Sequence, residues 1–76
     1  VKDLVTLIAK ALVDHPDSVD VKQVDGERSV IMEVRVHPDD VGKVIGRNGR
    51  IVEAIRTIVK ASAAKQQKKA SVEIVQ

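Results

Sequence analysis

The 76-residue chain has no cysteine, phenylalanine, tyrosine or tryptophan, and only two prolines and four glycines. Without cysteine it has neither disulfides nor thiolate metal ligands. Its two histidines, His15 and His37, lie far apart in the sequence and each directly precedes a proline, so no metal or other cofactor is expected. Without aromatic rings, bases cannot stack as they do on RNA-recognition-motif or cold-shock surfaces. The core must then be assembled from Val, Ile, Leu, Ala and Met32. No apolar run approaches the roughly 20 residues that cross a bilayer. The N-terminus also lacks the basic start and apolar stretch of a signal peptide. A cytoplasmic protein with no membrane segment is therefore expected. The chain opens at Val1 rather than methionine, which leaves room for a short piece before it.

What is present suits one small folded domain spanning residues 1–76. At 43% hydrophobic and 32% charged, the composition is too apolar for a disordered chain. A domain of this size buries only about 60% of its unfolded surface, so its stability margin is thin. The net charge of +2 hides an asymmetry. Residues 1–42 carry five basic and nine acidic side chains, whereas residues 43–76 carry eight basic and two acidic, so a polyanion would land on the second half. Lys65, Lys68 and Lys69 are explained without a ligand as the solvated end of a helix and a turn, where positive charge also suits the helix dipole.

The pattern of side chains divides the chain into six elements. Leu4, Val5, Leu7, Ile8, Ala11 and Leu12 recur at helical spacing and predict an amphipathic helix over residues 3–14, stopped by Pro16. A valine-rich run over 18–24, the Asp25-Gly26 turn signal and a second run from Ser29 to Val36 predict a hairpin. In the second run Val30, Met32, Val34 and Val36 alternate with Ile31, Glu33 and Arg35, so one wholly apolar face must lie against helices. Pro38, Asp39 and Asp40 suit a helix start, where proline fixes φ and acids meet the positive end of the dipole. That short helix should run to about Ile45. Ile51, Val52, Ala54, Ile55, Ile58 and Val59 predict a second long helix over 50–63, and Ser71–Val75 alternates as a closing strand.

The segment that carries chemistry joins the last two helices: Val44-Ile45-Gly46-Arg47-Asn48-Gly49-Arg50-Ile51. Gly46 can end one helix in a left-handed conformation, and Gly49 can let a phosphate backbone approach without a side chain in the way. The turn directly precedes a helix N-terminus, whose free N–H groups attract an anion, and Arg47 and Arg50 add charge. Together these parts would make a phosphate clamp. Enzymatic nucleotide motifs fail on spacing. Gly42 and Gly46 are only four apart and Arg47 follows where a Walker loop needs lysine, while Val44 occupies a glycine position of the dinucleotide fingerprint. Asp39 and Asp40 are adjacent and do not converge on one substrate atom, and helix-start stabilisation explains both. His15 and His37 have no nucleophile near them in sequence, so a structural or solvent-exposed role fits them better. No catalysis is expected.

A Gly-x-x-Gly turn between two helices, flanked by Val44-Ile45 and Ile51 and bracketed by valine-rich strands, resembles the KH fold. The core unit would span residues 29–75, and the preceding helix and strand match the type II (prokaryotic) KH domain. The implied architecture is α+β, order α-β-β-α-α-β, with a three-stranded sheet covered by helices on one face. A chain this short with the string Val-Ile-Gly-Arg-Asn-Gly-Arg resembles, more narrowly, the small bacterial single-KH proteins of the KhpA family.

That resemblance implies single-stranded RNA as ligand, with Gly46, Arg47, Asn48 and Gly49 on the backbone of about four nucleotides. Lys43 and Arg50 would add charge nearby, and Val44, Ile45, Ile51 and Ile31 would line an apolar groove. Arg35 or strand backbone would reach base edges, with weak specificity. It also implies a homodimer, a heteromer with a larger KhpB (Jag)-type KH protein, and a role in bacterial RNA regulation or chaperoning. Part of the broad apolar arc of the 50–63 helix would then face a partner, where the alternative is that Ile51, Val52, Ile55, Ile58 and Val59 all cover the sheet. The competing reading of the whole chain is a KH-fold protein–protein interaction module with little or no RNA binding, against which the Arg47-Asn48 loop speaks because it is compatible with phosphate.

Overall fold

The computed structural model describes residues 1–76, and its elements follow the expected order. They are α1 (Lys2–Leu12), β1 (Asp20–Asp25), β2 (Ser29–Arg35), α2 (Val41–Ile45), α3 (Arg50–Ala64) and β3 (Lys69–Val75). Single 3₁₀ turns precede β1 (Pro16–Ser18), α2 (Pro38–Asp40) and α3 (Arg47–Gly49). The sheet runs β1-β2-β3, with β1 antiparallel and β3 parallel to the central β2.

The alternation read in β2 orients the sheet. Val30, Met32, Val34 and Val36 are all buried, and the register partners Val21 on β1 and Val72 on β3 are buried with them. Helices α1 and α3 close this face through Val5, Ala9, Val52, Ile55, Val59 and Ala63, while Val44 of α2 fills the gap between them. The opposite face carries Lys22, Val24, Ile31, Glu33, Ser71 and Glu73 and has no covering layer. Only 14 of 76 residues are buried, so each core side chain carries a large share of a small stability.

Several boundaries differ from the sequence pattern for identifiable reasons. Helix α1 ends at Leu12 and the chain is already extended at Val13, because the N–H groups of Asp14 and His15 are drawn onto the Asp40 carboxylate instead of onto helix carbonyls. Leu4 and Leu7 of its apolar stripe remain on the surface. Of the five apolar residues singled out on α3, Val52, Ile55 and Val59 cover the sheet, whereas Ile51 and Ile58 are half-buried. Strand β3 starts two residues early, at Lys69, where its N–H bonds the Arg28 carbonyl at 2.9 Å.

The end of α3 has no glycine to stop it. Gln67 takes φ 58°, the Lys68 N–H reaches back to the Ala63 carbonyl at 3.0 Å and the Gln67 N–H to the Ala64 carbonyl at 3.0 Å. This is a Schellman motif with a side chain where glycine is preferred. Gln67→Gly should therefore stabilise the domain by about 1 kcal/mol, raising the thermal midpoint by roughly 4–8 °C. A lower midpoint in calorimetry would show that the Gln67 side chain stabilises the turn by other means.

Candidate nucleic-acid interface

Helix α2 is only five residues long, and the loop that follows it has positive φ at three of four positions. Gly46 adopts φ 80°, ψ 172°, a region open essentially to glycine alone, rather than the left-handed helical end read from the sequence. Its second constraint is steric. A Cβ at Gly46 would stand 2.5 Å from Ile51 Cγ1 and 2.8 Å from its Cδ1. The missing side chain therefore lets the first turn of α3 fold back onto the loop. Asn48 (φ 57°) and Gly49 (φ 73°) are both left-handed, and a Cβ at Gly49 would meet nothing within 4 Å. Gly49 thus leaves open space beside the N-terminus of α3, which no side chain caps.

Arg47 and Arg50 flank this opening, both exposed and neither within 4.0 Å of an acid. An open groove of about 580 Å³ starts at Ile45, just before the loop, and is walled further by Val52 and Arg56 of α3 and by Val72–Val75 of β3. The other cavity, between the C-terminal half of α3, Val1 and strands β1 and β2, holds only about 20 Å³, room for one water. Arg56 is the one cation of the groove wall, and its Nη1 donates to Glu53 Oε1 at 2.5 Å.

The sequence-predicted residues divide on inspection. Gly46, Arg47, Asn48, Gly49 and Arg50 form the opening, Ile45 reaches the groove, and Ile51 seals the loop from beneath. Val44 is completely buried and belongs to the core, so it cannot line the groove. Ile31 and Arg35 are also absent from it. They sit on the uncovered face of β2, and β3 stands between that strand and the groove. Arg35 instead donates to the Gln76 carbonyl at 2.9 Å. Val52, Arg56 and β3 were missed as groove walls because strand order is a tertiary property with no local periodicity. The Val52/Arg56 spacing on one helix face is the signal that could have found two of them.

Lys43 has a different task from the one expected. It is bound to Asp14 and lies 3.5 Å from Asp40, and the bond to Asp14 raises its pKa. Asp40 is the only buried charged residue, fully excluded from solvent. It accepts the N–H of His15 at 3.0 Å, the N–H of Asp14 at 3.3 Å and His15 Nδ1 at 2.9 Å. Burial pushes the Asp40 carboxyl up, but the His15 ring and the two backbone donors outweigh it and hold the pKa at about 2, below the ordinary 3.8. The helix-start reading of Asp40 thus gives way to a tether between α2 and the α1–β1 connection. The histidines that are distant in sequence also meet there, their rings stacked at 4.0 Å and 14°. His37 Nδ1 accepts the Asp39 N–H at 3.1 Å and starts the 3₁₀ turn before α2. No cluster of three metal-ligating groups forms.

The amino-acid sequence matches known proteins over almost its whole length. The family described as KhpA/KhpB, KH domain, matches residues 2–74. The chain belongs to that family. The KhpA/KhpB-family chain is 58% identical over 74 residues to "RNA-binding protein KhpA" of Clostridium perfringens, covering 97% of this chain and 99% of that one. It is 55% identical over 74 residues to the protein of that name from Clostridium acetobutylicum, covering 97% and 99%. For the Aquifex aeolicus protein the figures are 48% over 75 residues, 99% and 95%. No solved structure matches significantly. The KH assignment accounts for the α+β fold, the helix-loop-helix and the groove beside β3, and no helix is long and apolar enough to cross a membrane.

Two measurements test the loop and its tether. Gly46→Ala should cost about 2–5 kcal/mol in urea unfolding, from overpacking against Ile51 added to backbone strain. Gly49→Ala should cost only about 1–2 kcal/mol, for φ alone, and equal losses would refute the steric role of Gly46. For Asp40, whose folded pKa is depressed, the contributed stability is complete above the ordinary carboxylate value and is lost as pH falls from about 3.8 through about 2. Asp40→Asn should lower the midpoint at neutral pH and flatten that acid limb. An unchanged limb would mean that other carboxylates govern acid unfolding.

Proposed function

We propose that the chain binds single-stranded RNA, with the Gly46–Gly49 loop holding the backbone of about four nucleotides and the groove beside β3 receiving their bases. The observation that carries this reading is the pairing of two unneutralised arginines with an uncapped helix N-terminus and a side-chain-free approach at Gly49. Elsewhere near the loop, positive charge is already neutralised: Lys43 by Asp14 and Asp40, and Arg56 by Glu53. Relatives named RNA-binding protein KhpA support the choice of RNA. With Ile45, Val52, Val72 and Ile74 on the groove wall and only Arg56 and Glu73 polar, base selection is weak and shape-led.

Four nucleotides offer limited surface, so useful affinity calls for a second domain. Exposed Leu4 and Leu7 on α1 and half-buried Ile58 on α3 favour a protein partner, either a second copy or a larger KhpB (Jag)-type KH protein. We place this work in the bacterial cytoplasm, in RNA regulation or chaperoning, without catalysis. A KH-fold interaction module with little RNA binding is the competing reading that the same apolar surface favours.

Titration of a labelled, unstructured RNA at two salt concentrations separates them. Intact protein should bind and weaken with salt, while a folded Arg47→Asp, Asn48→Asp variant should lose at least about tenfold in affinity. Equal binding by both proteins, or by neither, would leave the interaction-module reading as the better one.

A further inference from the structure

Helix α3 and strand β3 form one hairpin-like unit with two functional ends. At the open end stand the loop and groove. At the closed end, the 15 residues of α3 away or about 22 Å along the helix, stands the turn that joins α3 to β3. Lys65 and Lys68 occupy that turn, Lys69 opens β3 directly after it, and Lys60 precedes it by a little over one helical turn. Arg28 is beside it, because its carbonyl accepts the Lys69 N–H at 2.9 Å.

None of these five cations lies within 4.0 Å of an acid. The acids at this end are Asp25, the last residue of β1, and Glu27 of the β1–β2 turn, and Asp25 is engaged by the Gln23 side-chain amide at 3.0 Å. The favourable effect of positive charge at a helix C-terminus extends to Lys65, the residue that caps α3, but not to Lys68, Lys69 and Arg28, which lie beyond it. Like charges gathered on one turn repel, and a polyanion relieves that repulsion.

The turn is also in line with the groove. Passing along α3 from the groove residue Arg56, the next residue one turn on is Lys60, and passing back along the edge strand β3 from the groove residue Glu73 the same strand face carries Ser71 and then Lys69. The seam between α3 and β3 therefore runs from the loop to the lysines past two acidic side chains, Glu73 at the groove itself and Glu53, which Arg56 already engages.

We infer that the Lys60–Lys69 turn, with Arg28, is a second phosphate-binding region, which takes the backbone of an RNA strand continuing past the nucleotides held at the Gly46–Gly49 loop. This rests on the proposed RNA reading and extends the footprint beyond the four nucleotides a single KH loop grips.

The test compares an unstructured RNA of about four nucleotides with one about three times as long. Each is titrated across a salt series with the intact protein, with a Lys65→Gln, Lys68→Gln, Lys69→Gln variant, and with the Arg47→Asp, Asn48→Asp variant. Circular dichroism monitors folding, and a Lys65→Gln, Lys69→Gln protein that keeps Lys68 in its turn substitutes if the triple variant unfolds. The lysine variant should bind the short strand as the intact protein does and the long strand more weakly. Its slope of log affinity against log salt for the long strand should become shallower by about 2, since each phosphate that a lysine neutralises on a single strand adds ~0.7 to the slope. The inference is overturned if both strands weaken equally, if neither does, as when the lysines serve an acidic protein surface, or if the intact protein gains nothing from length. The loop variant reports separately: retained short-strand binding there refutes the clamp while leaving the lysine effect on the long strand to be read by itself.

Discussion

Ile51 occupies the space that a side chain at position 46 would need, and the interface depends on that exchange. With a Cβ 2.5 Å from Ile51 Cγ1, either α3 would swing away from α2 or the loop would open. In the folded chain the two helices meet over a bare backbone, so the N-terminus of α3 stands beside the loop with Arg47 and Arg50 on either side of Gly49. The same closeness brings Ile45 and Val52 onto one wall, opposite β3. One absent methyl group thus sets the loop, the groove and the direction of the helix dipole together.

Behind the loop, α2 has five residues and could not hold its place on helical hydrogen bonds alone. Val44 anchors it in the core, and Asp40 ties its start to the α1–β1 connection through three hydrogen bonds. Burying a carboxylate is unfavourable unless it is fully satisfied. Here two backbone N–H groups and an imidazole satisfy it, with Lys43 at 3.5 Å. The positive charge of Lys43 is used to hold this support, which leaves Arg47 and Arg50 as the free charges at the loop.

Local features of this fold were legible in the residues. The alternation of Val30, Met32, Val34 and Val36, the Asp25-Gly26 turn and the 3.6-residue period of α3 each encode a structure within a few neighbouring positions. The loop was legible for the same reason, since its glycines, arginines and flanking helices are contiguous. What escaped notice was long-range or had no signature. His15 and Asp40 are 25 residues apart, and nothing in either neighbourhood announces the pair. The place of β3 beside β2, which sets Ile31 and Arg35 apart from the groove, is likewise a long-range pairing with no local signal. Gln67 gave no hint of its positive φ, because the turn it makes normally advertises itself with glycine.

The proposed function requires RNA to enter the groove between the loop and β3. Backbone amide shifts recorded while a short, unstructured RNA is added test it residue by residue. The largest changes are expected at Gly46–Ile51 and at Val72–Val75, with little movement at Lys22, Ile31 and Glu33 on the uncovered sheet face. Changes centred on that face, or on Leu4 and Leu7 of α1 with the loop silent, would contradict it.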